Sequence, residues 1–134
     1  MNPLAEITVL VAEDERPLRM LMRVVLEAAG ARVIEAEHGA VALRMLQLHP
    51  EIDVLCTDVN MPILDGAALC TLIRADRPRL PVVACSALDV TESHPQLAAH
   101  ASAIVQKPFV PSELVRAIRV AALAGQTAMH AAAS

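Results

Sequence analysis

The chain has 134 residues, a length typical of one domain with a buried core. Hydrophobic residues make up 55% of it and aromatic residues 1%, so aliphatic and methionine side chains must fill that core. A formal net charge of -4, and apolar runs far shorter than the ~20 residues of a membrane span, argue against a basic nucleic-acid binder and a membrane-spanning protein.

Five short apolar runs, rich in β-branched residues, are predicted to be strands. The first is continuously apolar, as expected of a strand that is buried on both faces. The predicted strands cover residues 7–12, 32–35, 53–57, 82–86 and 103–105.

Amphipathic segments between and after these strands are predicted to be helices. The first helix has Pro17 in its first turn, where a missing N–H costs nothing, and it stops at Gly30. The others cover residues 39–48, a stretch after the loop at 61–66, and residues 111 toward 125.

Two segments carry a weaker pattern. Residues 89–102 are polar and alanine-rich and contain Pro95, so any helix there is short or broken. Residues 124–134 form an alanine-rich tail without an evident packing face, and we expect this tail to be frayed. The alternation of strands and helices over residues 1–123 predicts one α/β domain with a doubly wound parallel sheet.

The N-terminus and the cysteines both favour a cytoplasmic protein. Residues 1–6 lack a basic segment followed by an apolar one, so we predict no secretory signal. Cys56, Cys70 and Cys85 form no Cys-x-x-Cys pair. We interpret them as small buried side chains in a reducing cytosol rather than as metal or redox sites.

Charged and hydroxyl side chains follow the predicted strands at their carboxyl ends. Glu13 and Asp14 follow the first strand, Asp58 follows the third, and Ser86 ends the fourth. Lys107, the only lysine in the chain, follows the fifth. Because ligands of open α/β sheets bind beyond the carboxyl ends of the strands, we expect these five residues to share one site.

Three carboxylates in one pocket repel each other unless a cation intervenes, and Mg²⁺ is the hard cation that takes oxygen ligands. Asp14 and Asp58 would be direct ligands, and Glu13 would bind directly or through water. Lys107 and Ser86 would stabilise a phosphoryl group, and a carboxylate can itself be the nucleophile that forms an aspartyl-phosphate.

Each residue also has a simpler interpretation when it is taken alone. Glu13 and Asp14 could be an acidic pair at the start of a helix, where the helix dipole favours them. Asp58 could be a turn residue, Ser86 a loop or capping residue, and Lys107 a solvated surface lysine. The common position at strand ends is what favours a functional site.

Four segments, in order and at these separations, resemble the receiver domains of two-component response regulators. The matching segments are residues 9–15, 57–66, 83–87 and 107–109. The resemblance covers roughly residues 6–123. It implies a flavodoxin-like fold with helices on both faces of a five-stranded parallel sheet in the order 2-1-3-4-5.

The resemblance also implies a phosphorelay function. Asp58 would accept a phosphoryl group from a phosphohistidine on a sensor histidine kinase or a histidine phosphotransfer protein. Mg²⁺ would be bound by Glu13, Asp14, Asp58 and the main-chain carbonyl of Asn60. The protein would act on itself alone, by catalysing its own phosphorylation and a slow autodephosphorylation.

The remaining family features concern the phosphate and the output. Ser86 would bond a phosphoryl oxygen and Lys107 would pair with the phosphate, next to a cis bond to Pro108. Phosphorylation would rearrange the 89–123 face, which would bind a downstream protein target. We expect neither a nucleic acid nor a membrane as partner, and a monomer or a weak dimer.

Two departures from the family pattern, at Ile104 and at 100–102, concern the output, and two positions that flank the site concern the lifetime of the phosphoryl group. Ile104 stands where the family commonly has Tyr or Phe, so the signal cannot travel through a swinging aromatic ring. Asn60 and Leu88 flank the site, and apolar Leu88 cannot orient an attacking water, so we predict slow loss of the phosphoryl group. The turn at 100–102 also lacks the glycine that is usual there.

Two other functions compete with the phospho-accepting receiver. One is a phosphorylation-independent binding module, which the intact set of acidic residues, serine and lysine disfavours. The other is a Mg²⁺-dependent phosphatase for small molecules, which usually has a second Asp two residues after the nucleophile. Asn60 occupies that position here. We expect a stand-alone receiver, although an output domain would be missing if the chain were excised from a larger protein.

Overall fold

Five parallel strands form the centre of the fold in a computed structural model that describes residues 2–59, 61, 65–87 and 101–133. The order across the sheet is β2-β1-β3-β4-β5, which confirms the predicted fold class. The strands are β1 Thr8–Ala12, β2 Arg32–Ala36, β3 Val54–Asp58, β4 Val82–Ser86 and β5 Ala103–Gln106.

The three central strands, β1, β3 and β4, are buried along their whole length, as their apolar sequences predict. Their register brings the carboxyl ends level. Ala12 is paired with Thr57, Thr57 with Ala84, and Ala84 with Ile104, so these four residues form one row across the sheet. Side chains just beyond this row therefore lie close together at one edge of the sheet.

Four helices lie in the described part of the chain. Pro17 is in the first turn of the first helix, and Gly30, with a φ of 102°, follows its end in a conformation that glycine adopts without strain. Asp65 caps the third helix by accepting a hydrogen bond from the main-chain nitrogen of Ala68 at 2.8 Å. The helices are α1 Arg16–Ala28, α2 Gly39–Leu48, α3 Gly66–Asp76 and α4 Pro111–Ala133.

The sheet separates two hydrophobic clusters because alternate residues of each strand point to opposite faces. Val9 and Val11 of β1 pack on one face with α1 and α4. Leu10 and Ala12 of the same strand pack on the other face with α2 and α3. Helices thus cover both faces, which forces ligands to the strand ends.

The last helix differs from the prediction. It does not end near Gly125 but continues to Ala133. Gly125 lies inside the helix, where it allows a close approach of Pro81: a Cβ at that position would be 2.3 Å from the Cγ of Pro81. Alanine, the strongest helix former, then continues the helix. The division into a domain over 1–123 and a tail over 124–134 stays a prediction.

Two further predictions concern the third strand and the segment 89–102. The third strand begins and ends one residue later than predicted, so Asp58 is its last residue rather than a residue of the following loop. A short or broken helix was also expected over 89–102. Residues 89–100 of this segment lie outside the described residues, and residues 101–102 precede β5.

Candidate functional site

Three acidic side chains meet at the carboxyl ends of β1 and β3. Glu13, Asp14 and Asp58 each offer a carboxylate oxygen, and these oxygens all lie within 4.8 Å of one another. Glu13 and Asp14 precede α1, whose N-cap residue is Glu15, so they belong to the β1–α1 connection rather than to the first helical turn. The carboxylate cluster predicted from the sequence is therefore formed in the structure.

Lys107 joins this cluster from the end of β5. Its Nζ lies 2.7 Å from Oε1 of Glu13 and 3.2 Å from Oδ1 of Asp58. The Glu13 side chain is 1% exposed and that of Lys107 is 18% exposed, so this pair is largely shielded from water. Lys107 is thus a partner of the acidic cluster and not a surface lysine.

The electrostatics of the site reflect its burial. Burial raises the pKa of Glu13, and the hydrogen bonds from Lys107 and from the main chain of Glu15 offset only part of this effect. Burial alone would lower the pKa of Lys107, but its hydrogen bond to Glu13 and the nearby negative charges outweigh burial and raise it. Lys107 therefore stays charged at neutral pH, yet among the described residues it is the only cation that forms an ion pair within this cluster of three carboxylates.

This excess of negative charge fits a divalent cation. Three carboxylate oxygens within 4.8 Å of one another are close enough for one ion to contact them all, and they are the hard donors that Mg²⁺ prefers. The fourth predicted ligand, the main-chain carbonyl of Asn60, lies outside the described residues. The donor set that the structure does describe is suited to Mg²⁺.

Ser86 is placed beside the acidic cluster by the sheet. Asp58 is paired with Cys85 in the register of β3 and β4, so Ser86 lies one residue further toward the open edge. Ser86 is 2% exposed, and its main-chain oxygen accepts a hydrogen bond from the main-chain nitrogen of Lys107 at 2.8 Å. The structure thus brings the predicted serine and lysine to the same edge.

Several neighbouring predictions can be compared with the structure. The Lys107–Pro108 peptide bond is cis, as the resemblance implies. Ile104 lies on the edge strand β5 and is 41% exposed. Leu88 lies outside the described residues, as does Asn60. The predicted slow loss of phosphate stays a prediction.

Sequence reasoning missed one residue that contacts the site. Arg19 of α1 donates a hydrogen bond from Nη1 to the main-chain oxygen of Glu13 at 2.8 Å. Its side chain is only 14% exposed. Nothing in the sequence singles it out from the nine other arginines of the chain. The available signal was its place in the first turns of α1, the helix that follows Glu13, Asp14 and Glu15, which we call the acidic loop.

Comparison with known proteins agrees with this geometry. Residues 9–119 match the family model of the response regulator receiver domain. The chain belongs to this family. Phosphate acceptance is the function of receiver domains, and they act together with kinases or phosphotransfer partners.

Individual relatives support the same assignment. A probable transcriptional regulator, ycf27 of Cyanophora paradoxa, is 38% identical over 113 residues, which are 83% of this chain and 46% of the relative. The response regulator MprA of Mycobacterium ulcerans is 35% identical over 114 residues, 84% of this chain and 49% of the relative. This chain therefore spans about half the length of these curated relatives.

A solved structure shows the same fold. The chemotaxis protein CheY4 of Vibrio cholerae superposes with a TM-score of 0.81 at 27% identity, covering 87% of this chain and 99% of that one.

In the part of the chain that the structure describes, none of the helices has the length and apolar character needed to cross a bilayer.

Proposed function

We propose that Asp58 is the phosphoryl acceptor of this receiver. The observation that supports this most strongly is its position: the last residue of a buried strand, 3.2 Å from Lys107 and within the three-carboxylate cluster. A carboxylate oxygen of Asp58 attacks the phosphorus of a phosphohistidine on the partner. The phosphorus–nitrogen bond breaks, the imidazole nitrogen keeps its electron pair, and an aspartyl-phosphate forms.

The neighbouring residues have distinct roles in this transfer. Glu13, Asp14, Asp58 and the main-chain carbonyl of Asn60 would hold Mg²⁺, which would supply positive charge to neutralise the phosphoryl oxygens. Lys107 pairs with a phosphoryl oxygen once Asp58 is modified. Ser86, at the end of the adjacent strand β4, donates a hydrogen bond from its hydroxyl group to another phosphoryl oxygen. The chain thereby catalyses its own phosphorylation and a slow autodephosphorylation, and no reaction on other molecules.

The phosphodonor is a sensor histidine kinase or a histidine phosphotransfer protein. The support is an apolar surface that adjoins the site: a cavity of about 350 Å³ lies next to Lys107 and is lined by Leu18, Leu21, Ala87, Pro108 and Phe109. Met20 and Val24 are two further exposed apolar side chains of α1, the helix that supplies Leu18 and Leu21. A partner that covers it would bring its phosphohistidine to Asp58 and exclude water from the transfer.

Output uses the 89–123 face and a downstream protein target. Ile104, Val120 and Leu123 are exposed apolar side chains on β5 and α4, and they give this face a surface for protein contact. The setting we propose is the cytoplasm, where soluble kinases and phosphotransfer proteins act. The chain is a monomer or a weak dimer there.

The test is phosphorylation by a small phosphodonor with Mg²⁺, followed on a phosphate-retarding gel and by intact mass. Wild type is expected to give a Mg²⁺-dependent shifted band that Asp58→Asn abolishes. Asp76→Asn, the same change in an exposed residue at the end of α3, is the matched control and should be phosphorylated like wild type.

Two outcomes would contradict the proposal. A band that persists in Asp58→Asn would place the phosphoryl group elsewhere. A wild type that gives no band and binds no Mg²⁺ would favour a phosphorylation-independent binding module.

A further inference from the structure

Arg19, a residue of α1, links the acidic loop to the neighbouring strand β2. Its Nη1 donates to the main-chain oxygen of Glu13 at 2.8 Å, and its Nε donates to Oε1 of Glu35 on β2 at 3.0 Å. One guanidinium group thus bonds two elements at once, which its planar fork of donors makes possible. Arg19 itself lies outside the carboxylate cluster, since it contacts Glu13 only at the main chain.

Glu35 is a firm anchor for this arginine. Burial alone would raise the pKa of Glu35, but hydrogen bonds from Arg23 and Arg19 outweigh it and lower the pKa, so the carboxylate is ionised at neutral pH. Arg23 bonds the other oxygen of Glu35 and also bonds Glu27. Arg19 and Arg23 therefore share one carboxylate partner, but only Arg19 reaches the acidic loop.

The contact with Glu13 completes the restraint of that residue. The main-chain nitrogen of Glu13 donates to the oxygen of Ala36, and its side chain accepts from Lys107 and from the main chain of Glu15. The remaining polar group of Glu13, its carbonyl, is the one that Arg19 holds. This carbonyl belongs to the peptide unit that leads into Asp14, so fixing it fixes the direction from which Asp14 enters the cluster.

We propose that Arg19 is a positioning residue for the metal site, acting through the Glu13–Asp14 peptide unit. The inference rests on the proposed function, because it assumes that the carboxylate cluster binds a divalent cation. Arg19 acts by geometry rather than by charge, since Glu35 neutralises it. Partners that orient metal ligands typically change metal affinity by about 10- to 100-fold when they are removed.

The test measures metal affinity on the unphosphorylated protein. Because the chain has no tryptophan, binding is followed by titration calorimetry with Mg²⁺ and by electron paramagnetic resonance of free Mn²⁺. Arg19→Gln is expected to weaken binding of both ions about tenfold, the lower end for an outer partner of metal ligands. Arg23→Gln removes the other arginine on Glu35 and should bind as tightly as wild type.

Two further variants separate geometry from charge and from folding. The double variant Arg19→Gln with Glu35→Gln leaves the net charge unchanged and should still bind weakly. If Arg19→Gln does not fold, Arg19→Lys takes its place, with Arg23→Lys as control. Arg19→Lys should bind the metal ions weakly because its amine lacks the planar fork of N–H donors that lets arginine bond two groups at once.

The possible outcomes separate this inference from the function on which it rests. Equal affinity of Arg19→Gln and wild type overturns the inference alone, as does an equal loss in the Arg19 and Arg23 variants. Full affinity in the charge-neutral double variant or in Arg19→Lys also overturns it, since charge would then be the cause. A wild type that neither binds Mg²⁺ nor is phosphorylated overturns the proposed function as well.

Discussion

Removing one carboxylate from the cluster should stabilise the metal-free protein and weaken its stabilisation by Mg²⁺. The oxygens of Glu13, Asp14 and Asp58 lie within 4.8 Å of one another. At that separation two unit charges repel by about 1 kcal/mol in water and by about 3.5 kcal/mol at an effective dielectric constant of ~20. Asp14→Asn removes two of these repulsions and also an attraction to Lys107, which contacts the other two carboxylates, so the net effect is that of about one pair. Because Asp14 is exposed, we take the lower figure, a gain of about 1 kcal/mol in the free energy of unfolding without metal.

Mg²⁺ should reverse the order of the two proteins. A ligand that binds only the folded state at ten times its dissociation constant adds about 1.4 kcal/mol to the free energy of unfolding. Wild type should gain this amount, and Asp14→Asn, which lacks a ligand, should gain much less. For a domain of this size about 1 kcal/mol corresponds to a change of ~4 °C in the melting temperature.

The assay is thermal unfolding followed by circular dichroism at neutral pH, first with a chelator and then with Mg²⁺. Asp76→Asn is the control, and its melting temperature should rise with Mg²⁺ as much as that of wild type. The reasoning is refuted if Asp14→Asn melts below wild type in the chelator, or if Mg²⁺ raises its melting temperature by the same amount.

Three further predictions concern the rest of the fold. The thiols of Cys56 and Cys85 are buried, and hydrogen bonding between them together with burial raises the pKa of Cys56, so a thiol reagent at neutral pH should modify them only after unfolding; fast modification of the native protein would disprove this. Gly125→Ala should lower the free energy of unfolding in urea by about 1–3 kcal/mol through the contact with Pro81, despite the better helix propensity of alanine, and higher stability would contradict that contact. Because the pKa of Glu35 is lowered on folding, its contribution to stability is present above the ordinary glutamate pKa and lost as the pH falls through the folded value. Glu35→Gln should therefore melt below wild type at neutral pH, with a difference that shrinks in acid, and a constant difference would refute the assignment.

The fold and the composition of the site could be predicted because each depends on a repeated pattern. Buried parallel strands typically have nearly continuous apolar sequences, and residues 8–12 and 82–86 show this pattern. Once the strands are parallel, their carboxyl ends must meet, so Asp58 and Lys107 were expected together although 49 positions separate them in the sequence.

Contacts between individual side chains could not be predicted in this way. The bond from Arg19 to the Glu13 carbonyl depends on the rotamer of one arginine among ten and on the exact path of the β1–α1 connection. The length of α4 was missed for a related reason. Gly125 reads as a helix end in sequence, whereas its role is to let Pro81 approach, and this is a contact with a residue 44 positions earlier.

The pairing of Lys107 bears on how this receiver transmits its signal. Lys107 lies closer to Glu13 than to Asp58, so the phosphoryl group that we propose on Asp58 would have to draw it away from a buried carboxylate partner. Its main-chain nitrogen is bonded to Ser86, which links the lysine to a second residue of the site. Ile104, on β5 and three residues before Lys107, has an aliphatic side chain that donates and accepts no hydrogen bond. We therefore expect a phosphoryl group on Asp58 to act on the exposed edge through the backbone of β5, which carries Ile104 and ends next to Lys107.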